Sequence, residues 1–147
     1  MMSMIAAIAL ALASGKGGTP TVTAAHFLVS NGQLEAVETT IVPYLPGTSC
    51  YTWQLEVAPE DRDLSVREVF ELPGSAPTWG EEPTGFIAVN RDRSTAVTEF
   101  MDSLGDGMIS HGWCVAQGDP SGAHRIRVFA GDRLLHEFRF TVVEQPY

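Results

Sequence analysis

The last stretch of the chain, His124 to Val142, limits the possible folds more than any other. Ile126, Val128 and Ala130 alternate with Arg125, Arg127 and Phe129; after Gly131-Asp132, Phe138, Phe140 and Val142 alternate with Glu137, Arg139 and Thr141. A period of two on both sides of a turn signal is the pattern of a β-hairpin with one buried face. No segment beyond the first residues keeps an apolar period of 3.6, so helices are not expected.

Register sharpens the expectation. A two-residue loop at Gly131-Asp132 would set Ile126 against Glu137 and Arg125 against Phe138, which mixes the buried and exposed sets. A loop of Gly131 to Arg133 instead sets Ile126 against Phe138, Val128 against His136 and Ala130 against Leu134, so that one face is apolar throughout. The other face then carries Arg125, Arg127, Phe129, Leu135 and Arg139, with Phe129 against Leu135. It also places Arg125 against Arg139, a like-charge pair that costs stability unless an acidic group lies between them. His124 and His136 project to the core side by parity.

Turn chemistry divides the rest of the chain into short runs. Strands are predicted near 25–30, 34–43, 50–57, 65–72, 86–89, 96–101, 112–116, 124–130 and 134–143. They are separated by Asn31-Gly32, Pro46-Gly47, Pro59-Glu60-Asp61, Pro73-Gly74, Asp106-Gly107 and Asp119-Pro120-Ser121-Gly122. Many short strands with frequent turns imply a sandwich or a barrel. With 147 residues there is room for one domain and one core.

The opening residues differ in kind. Met4 to Ala13 form an apolar run of signal-peptide length, too short to span a bilayer, and Ala11-Leu12-Ala13 gives the small-x-small cleavage pattern. Residues 1–18 are therefore read as a signal-like leader and residues 19–147 as the β-domain. No Lys or Arg precedes the apolar run, so either the terminal amine serves or the true start lies upstream. A buried strand or helix is the competing reading.

Two cysteines in an exported chain imply one disulfide, Cys50 to Cys114. Closing that loop stabilises by roughly 4 kcal/mol in the chain-entropy model. A metal pair at His111 and Cys114 lacks the second pair of ligands that a structural zinc site needs.

The run Asp119-Pro120-Ser121-Gly122, an alternating strand, Gly131-Asp132 and then Phe138-x-Phe140-x-Val142 resembles the last two strands of bacterial immunoglobulin-like or fibronectin type III-like domains. The resemblance covers about the last 30 residues and implies an all-β, antiparallel immunoglobulin-like sandwich without implying an activity. Trp53 lies three residues after Cys50 and on the opposite parity, so the usual packing of tryptophan on cysteine is not expected.

No catalytic constellation stands out. No Gly-x-Ser-x-Gly elbow marks a nucleophile, and the four histidines are scattered. Asp102 to Trp113 fits a calcium loop at Asp106 and Gly107, but Leu104 and Trp113 occupy ligand positions, so a plain Asp-Gly turn is expected. No metal and no cofactor is expected.

The formal charge of -9 argues against nucleic acid and anionic membranes as partners, and no membrane insertion is expected once the leader is removed. Eight acids lie between Glu56 and Glu82, including Glu60, Asp61, Asp63, Glu68, Glu71 and Glu81, while the terminal hairpin is arginine-rich, so the charges look segregated. Arg125, Arg127, Phe129, Leu135 and Arg139 form one candidate binding surface. Trp79, in a breaker-rich stretch, forms another, open to a protein pocket or a sugar. The expected function is a periplasmic or secreted non-catalytic binding or accessory module with a protein partner. The alternatives are an enzyme inhibitor with a protruding loop at Pro73 to Gly85 and, third, a small hydrolase.

Overall fold

The computed structural model describes residues 18–32, 35–77, 79 and 86–145. Residues 1–17 of the signal-like leader and most of the predicted inhibitor loop lie outside the described residues. Ten strands are present: β1 (Val22–Ser30), β2 (Val37–Glu38), β3 (Ile41–Pro43), β4 (Cys50–Val57), β5 (Asp63–Glu71), β6 (Phe86–Val89), β7 (Thr95–Ser103), β8 (Met108–Cys114), β9 (Gly122–Ala130) and β10 (Arg133–Val143). They form a four-stranded sheet, β2-β1-β4-β8, and a six-stranded sheet, β3-β10-β9-β5-β7-β6.

The two sheets face each other across the apolar sets that the alternation marks. Phe27 and Val29 of β1 and Tyr51, Trp53, Leu55 and Val57 of β4 meet Val66 and Phe70 of β5, Ile126 and Val128 of β9, and Phe138, Phe140 and Val142 of β10. The aromatic rings interlock, with Phe27 on Phe140 at 4.6 Å and Trp53 on Phe138 at 5.8 Å between centroids. This is the immunoglobulin-like sandwich expected from the terminal hairpin.

Several details depart from expectation, among them β8, which runs over Met108–Cys114 where the alternation predicts 112–116. The strand predicted over 34–43 is two strands, because the chain crosses between sheets at Thr39 and Thr40. β2 pairs antiparallel with β1, whereas β3 pairs parallel with β10, so the sandwich is not wholly antiparallel. The crossing backbone stays satisfied, since Thr39 N donates to Phe27 O and Thr141 N donates to Thr40 O.

The hairpin loop is also shorter than predicted. Gly131 and Asp132 alone connect the strands, with Gly131 at a φ of 58°, and Ala130 pairs with Arg133. A bulge between Leu134 and His136 then restores the expected register, Val128 with His136, Ile126 with Phe138 and Arg125 with Arg139. The apolar face thus wins at the cost of one unpaired residue, Leu135. Leu135 packs against the core, and Leu134 takes the outward place beside Phe129, 51% exposed.

The Cys50–Cys114 disulfide is present, but it joins directly opposed residues of neighbouring strands in one sheet and not the two sheets. With both sulfurs in that bond, Cys114 has no thiolate to offer a metal with His111. Trp53 lies on the buried parity of β4, opposite to Cys50.

Candidate functional site

The outer face of the six-stranded sheet carries the arginines in rows set by the ladder. One row crosses the sheet as Glu99, Arg67, Phe129 and Leu134, and another as Thr95, Glu71, Arg125 and Arg139. Arg125, Arg127, Phe129 and Arg139 therefore share a face, as their alternation implies. Leu135 is absent from it because of the bulge, and Leu134 replaces it.

Most of the charge on this face is already compensated. Arg125 Nε and Nη2 donate to Glu71 Oε1 at 3.0 and 2.7 Å, and Arg127 Nη2 donates to the same oxygen at 3.0 Å. Arg139 Nε donates to Glu137 Oε2 at 2.6 Å, and Arg125 Nη1 lies 3.8 Å from Glu137 Oε1. The opposed Arg125 and Arg139 are thus bridged by carboxylates, which removes the repulsion their pairing would cause.

Arg67 is different. Its guanidinium lies over the Phe129 ring, 4.7 Å from the centroid, with Arg127 on the same ring at 5.8 Å. Among the described residues it makes no ion pair, and its Nε is buried without a hydrogen-bond partner. Sequence reasoning missed Arg67 because it lies on β5, and only the pairing of β5 with β9 brings it to Phe129.

Trp79 does not stand free. Its ring packs on Phe70 at 5.5 Å and on Trp113 at 5.7 Å, and its Nε1 donates to Arg93 O at 3.1 Å. Arg93, in the left-handed region at a φ of 62°, ties the same segment down by donating to the carbonyls of Ala76 and Pro77. Trp79 is a half-buried lid over one end of the core and, with Trp113, walls a cleft there.

The acidic run between Glu56 and Glu82 is not one solvated surface. Glu56 and Glu38 flank His26, at 2.5 and 3.0 Å from its ring nitrogens, and raise its pKa above the ordinary value, Glu56 most. Glu60 pairs with Arg62, and Glu71 with the arginines of β9.

Glu68 is wholly buried. Its Oε2 accepts from Trp53 Nε1 at 2.6 Å and from His111 Nδ1 at 2.9 Å, and its Oε1 accepts from Trp113 Nε1 at 2.9 Å. Convergence of N–H donors on both oxygens is the role of an ionised carboxylate, and it fixes two indoles at the centre of the sandwich. The sequence did carry a signal: Leu64, Val66, Glu68 and Phe70 share one parity, so an alternating strand with an inward Leu, Val and Phe must also turn Glu68 inward.

The remaining candidate residues are structural. His124 is buried, its ring against Phe140 at 5.1 Å, and desolvation holds its pKa below the usual value against the opposing hydrogen bond to Gly122 O. His136 packs on Phe138 at 4.5 Å. Asp106 Oδ1 accepts from Met108 N and Asp102 Oδ2 from Ser110 N, so both aspartates of the calcium-like run cap backbone amides of β8.

Comparison with known proteins agrees with this architecture. The family model for the PM0630 beta sandwich domain matches residues 24–143. An immunoglobulin-like protein from Pseudomonas aeruginosa has the same fold with a TM-score of 0.59 at 19% identity, over 86% of this chain and 98% of that one. An alkylpurine DNA glycosylase, AlkC, from Pseudomonas fluorescens, bound to DNA containing an abasic site analog, reaches a TM-score of 0.41 at 18% identity. It covers 80% of this chain and 29% of that one, and so low a score carries no argument. No curated protein matches the chain. By the extent of the match from the first strand to the last, the chain belongs to the PM0630 beta sandwich domain family.

Proposed function

We propose that the domain is an exported, non-catalytic binding module that docks an acidic protein partner on the outer face of its six-stranded sheet. The observation that carries the reading is Arg67, a cation resting on Phe129 without a carboxylate partner among the described residues. Arg125, Arg127 and Arg139 are already bridged by Glu71 and Glu137 and contribute mainly orientation. Phe129 and the exposed Leu134 supply the apolar centre that such an interface needs. Export is supported by the signal-like leader and by the disulfide, a bond that persists in oxidising compartments.

The test uses an acidic, aromatic-containing synthetic peptide and the domain with its disulfide intact. Arg67→Ala and Phe129→Ala should each weaken binding by about tenfold, and affinity should fall as salt rises. Equal binding by wild type and both variants would refute the docking face. Periplasmic fractionation and the mass of the mature protein test export independently: a chain retained in the cytoplasm with residues 1–18 still attached would refute it.

A further inference from the structure

We propose a second binding surface, on the other sheet: the free edge of β8 at Gly112 and Cys114, where an extended peptide adds as a strand and sets an apolar side chain into the cleft beside Trp79 and Trp113. β8 is the outermost strand of the four-stranded sheet. The bonds Val57 N to Gly107 O and Val115 N to Ser49 O bracket its ladder with β4 and place the odd-numbered residues of β8 in the hydrogen-bonded pairs. Met108, Ser110, Gly112 and Cys114 therefore turn their backbone N–H and C=O groups to the open side.

The chain treats these four amides unequally. Those of Met108 and Ser110 are capped by Asp106 and Asp102, at 3.2 and 3.3 Å. Those of Gly112 and Cys114 have no acceptor among the described residues, and both residues are exposed. A strand edge protected at one end and open at the other offers pairing over a short, defined length.

Gly112 lies tight against β4. A Cβ there would lie 2.8 Å from Thr52 Oγ1 and 3.1 Å from Tyr51 O, both on β4, so the glycine lets the two backbones approach closely and puts no side chain of its own beside the edge. Alongside lies a cleft of about 420 Å³, with Phe70, Leu72, Trp79, Ile87 and Trp113 among its walls and Asp119 lining it. Its aromatic walls are held in place, Trp79 by Phe70, Trp113 and the Arg93 carbonyl. An added strand would bond through residues two apart and present alternate side chains to the cleft and to solvent.

The flanking charges select the occupant. Asp102 and Asp106 hold one end of the edge and Asp119 lines the cleft, so a neutral or basic segment with one aromatic or branched apolar residue is favoured. A second copy would bring another chain of formal charge -9 and the same aspartates against this edge.

The test titrates the isotope-labelled domain, disulfide intact, with the blocked peptide Lys-Val-Phe-Val-Lys. Saturable amide shifts at Gly112 and Cys114, with slowed exchange of those amides, are expected. A peptide methylated on the backbone nitrogens flanking its Phe, and one with Ala in place of Phe, should each bind about tenfold or more weakly. Trp79→Ala should weaken binding of the parent peptide to the same degree. Absence of saturable shifts at β8, or binding unaffected by N-methylation, would overturn the proposal. Concentration-dependent broadening at β8 without peptide would overturn the choice of occupant in favour of a second copy.

Discussion

Replacing Glu68 with Leu tests whether its carboxylate organises the centre of the sandwich. The side chain and that of Trp53 are both fully buried, and the Trp53 indole N–H reaches Glu68 Oε2 at 2.6 Å. Leucine fills a similar volume but leaves the Trp53 donor with no route to water, which costs about 1 to 3 kcal/mol. The His111 and Trp113 donors, less deeply placed, lose charge-assisted bonds of about 1.5 to 3 kcal/mol each, partly recovered by turning to water. Removing a buried carboxylate also relieves its desolvation, so the net destabilisation is about 3 kcal/mol. Gln keeps one oxygen for Trp53 and His111 and turns an amide N–H towards Trp113, for a smaller loss of about 2 kcal/mol.

Urea denaturation followed by far-UV circular dichroism, with the disulfide intact, measures both variants. The discriminating experiment is the cycle with Trp53→Phe, which removes the deepest donor. The double variant should be more stable than the sum of the single losses by about 1 kcal/mol or more, because the orphaned indole is gone. A Glu68→Leu protein within about 0.5 kcal/mol of wild type, or a strictly additive cycle, would refute the reasoning.

Thr98 lies opposite Glu68 with a buried hydroxyl that has no hydrogen-bond partner among the described residues; Thr98→Val should therefore hold or raise stability by up to about 1 kcal/mol in the same assay. Stability should peak near pH 6.5. His26, raised by Glu56 and Glu38, contributes fully below 6.5 and loses its contribution as pH rises through the folded value, whereas His124, lowered by burial, contributes fully above 6.5 and loses its contribution as pH falls. Urea midpoints across pH should show His26→Gln flattening the alkaline limb and His124→Leu the acid limb. Reducing Cys50–Cys114, which spans 64 residues, should cost about 4 kcal/mol in paired melts with and without reductant. Phe140→Ala, at a site 2% exposed, should cost about 3 to 5 kcal/mol in the same urea assay.

The sequence was most legible where the chain interacts with itself over a few residues. β4 and β6 begin and end where turn residues and alternation put them, and the apolar parity of β9, and of β10 beyond its bulge, marks the core face correctly, whereas Leu134 and Leu135 exchange sides. Parity is a local rule, since successive side chains must leave opposite sides of the backbone. The same rule, applied to β5, places Glu68 inside; reading it only as one member of an acidic run hid the buried carboxylate.

The sequence by itself determined an all-β sandwich, the buried face of its last hairpin and, through an even pair of cysteines, its cross-link. Only the tertiary structure decided which strands are neighbours, and with them the sites. The transfer from β2 to β3, the bulge that turns Leu135 towards the core and exposes Leu134, the Arg67 guanidinium on Phe129 and the indoles on Glu68 all follow from long-range pairing. Alternation tells each strand which side is inward and leaves open which strand lies beside it, because backbone hydrogen bonds are the same for every partner. Side-chain packing across the completed sheets makes that choice.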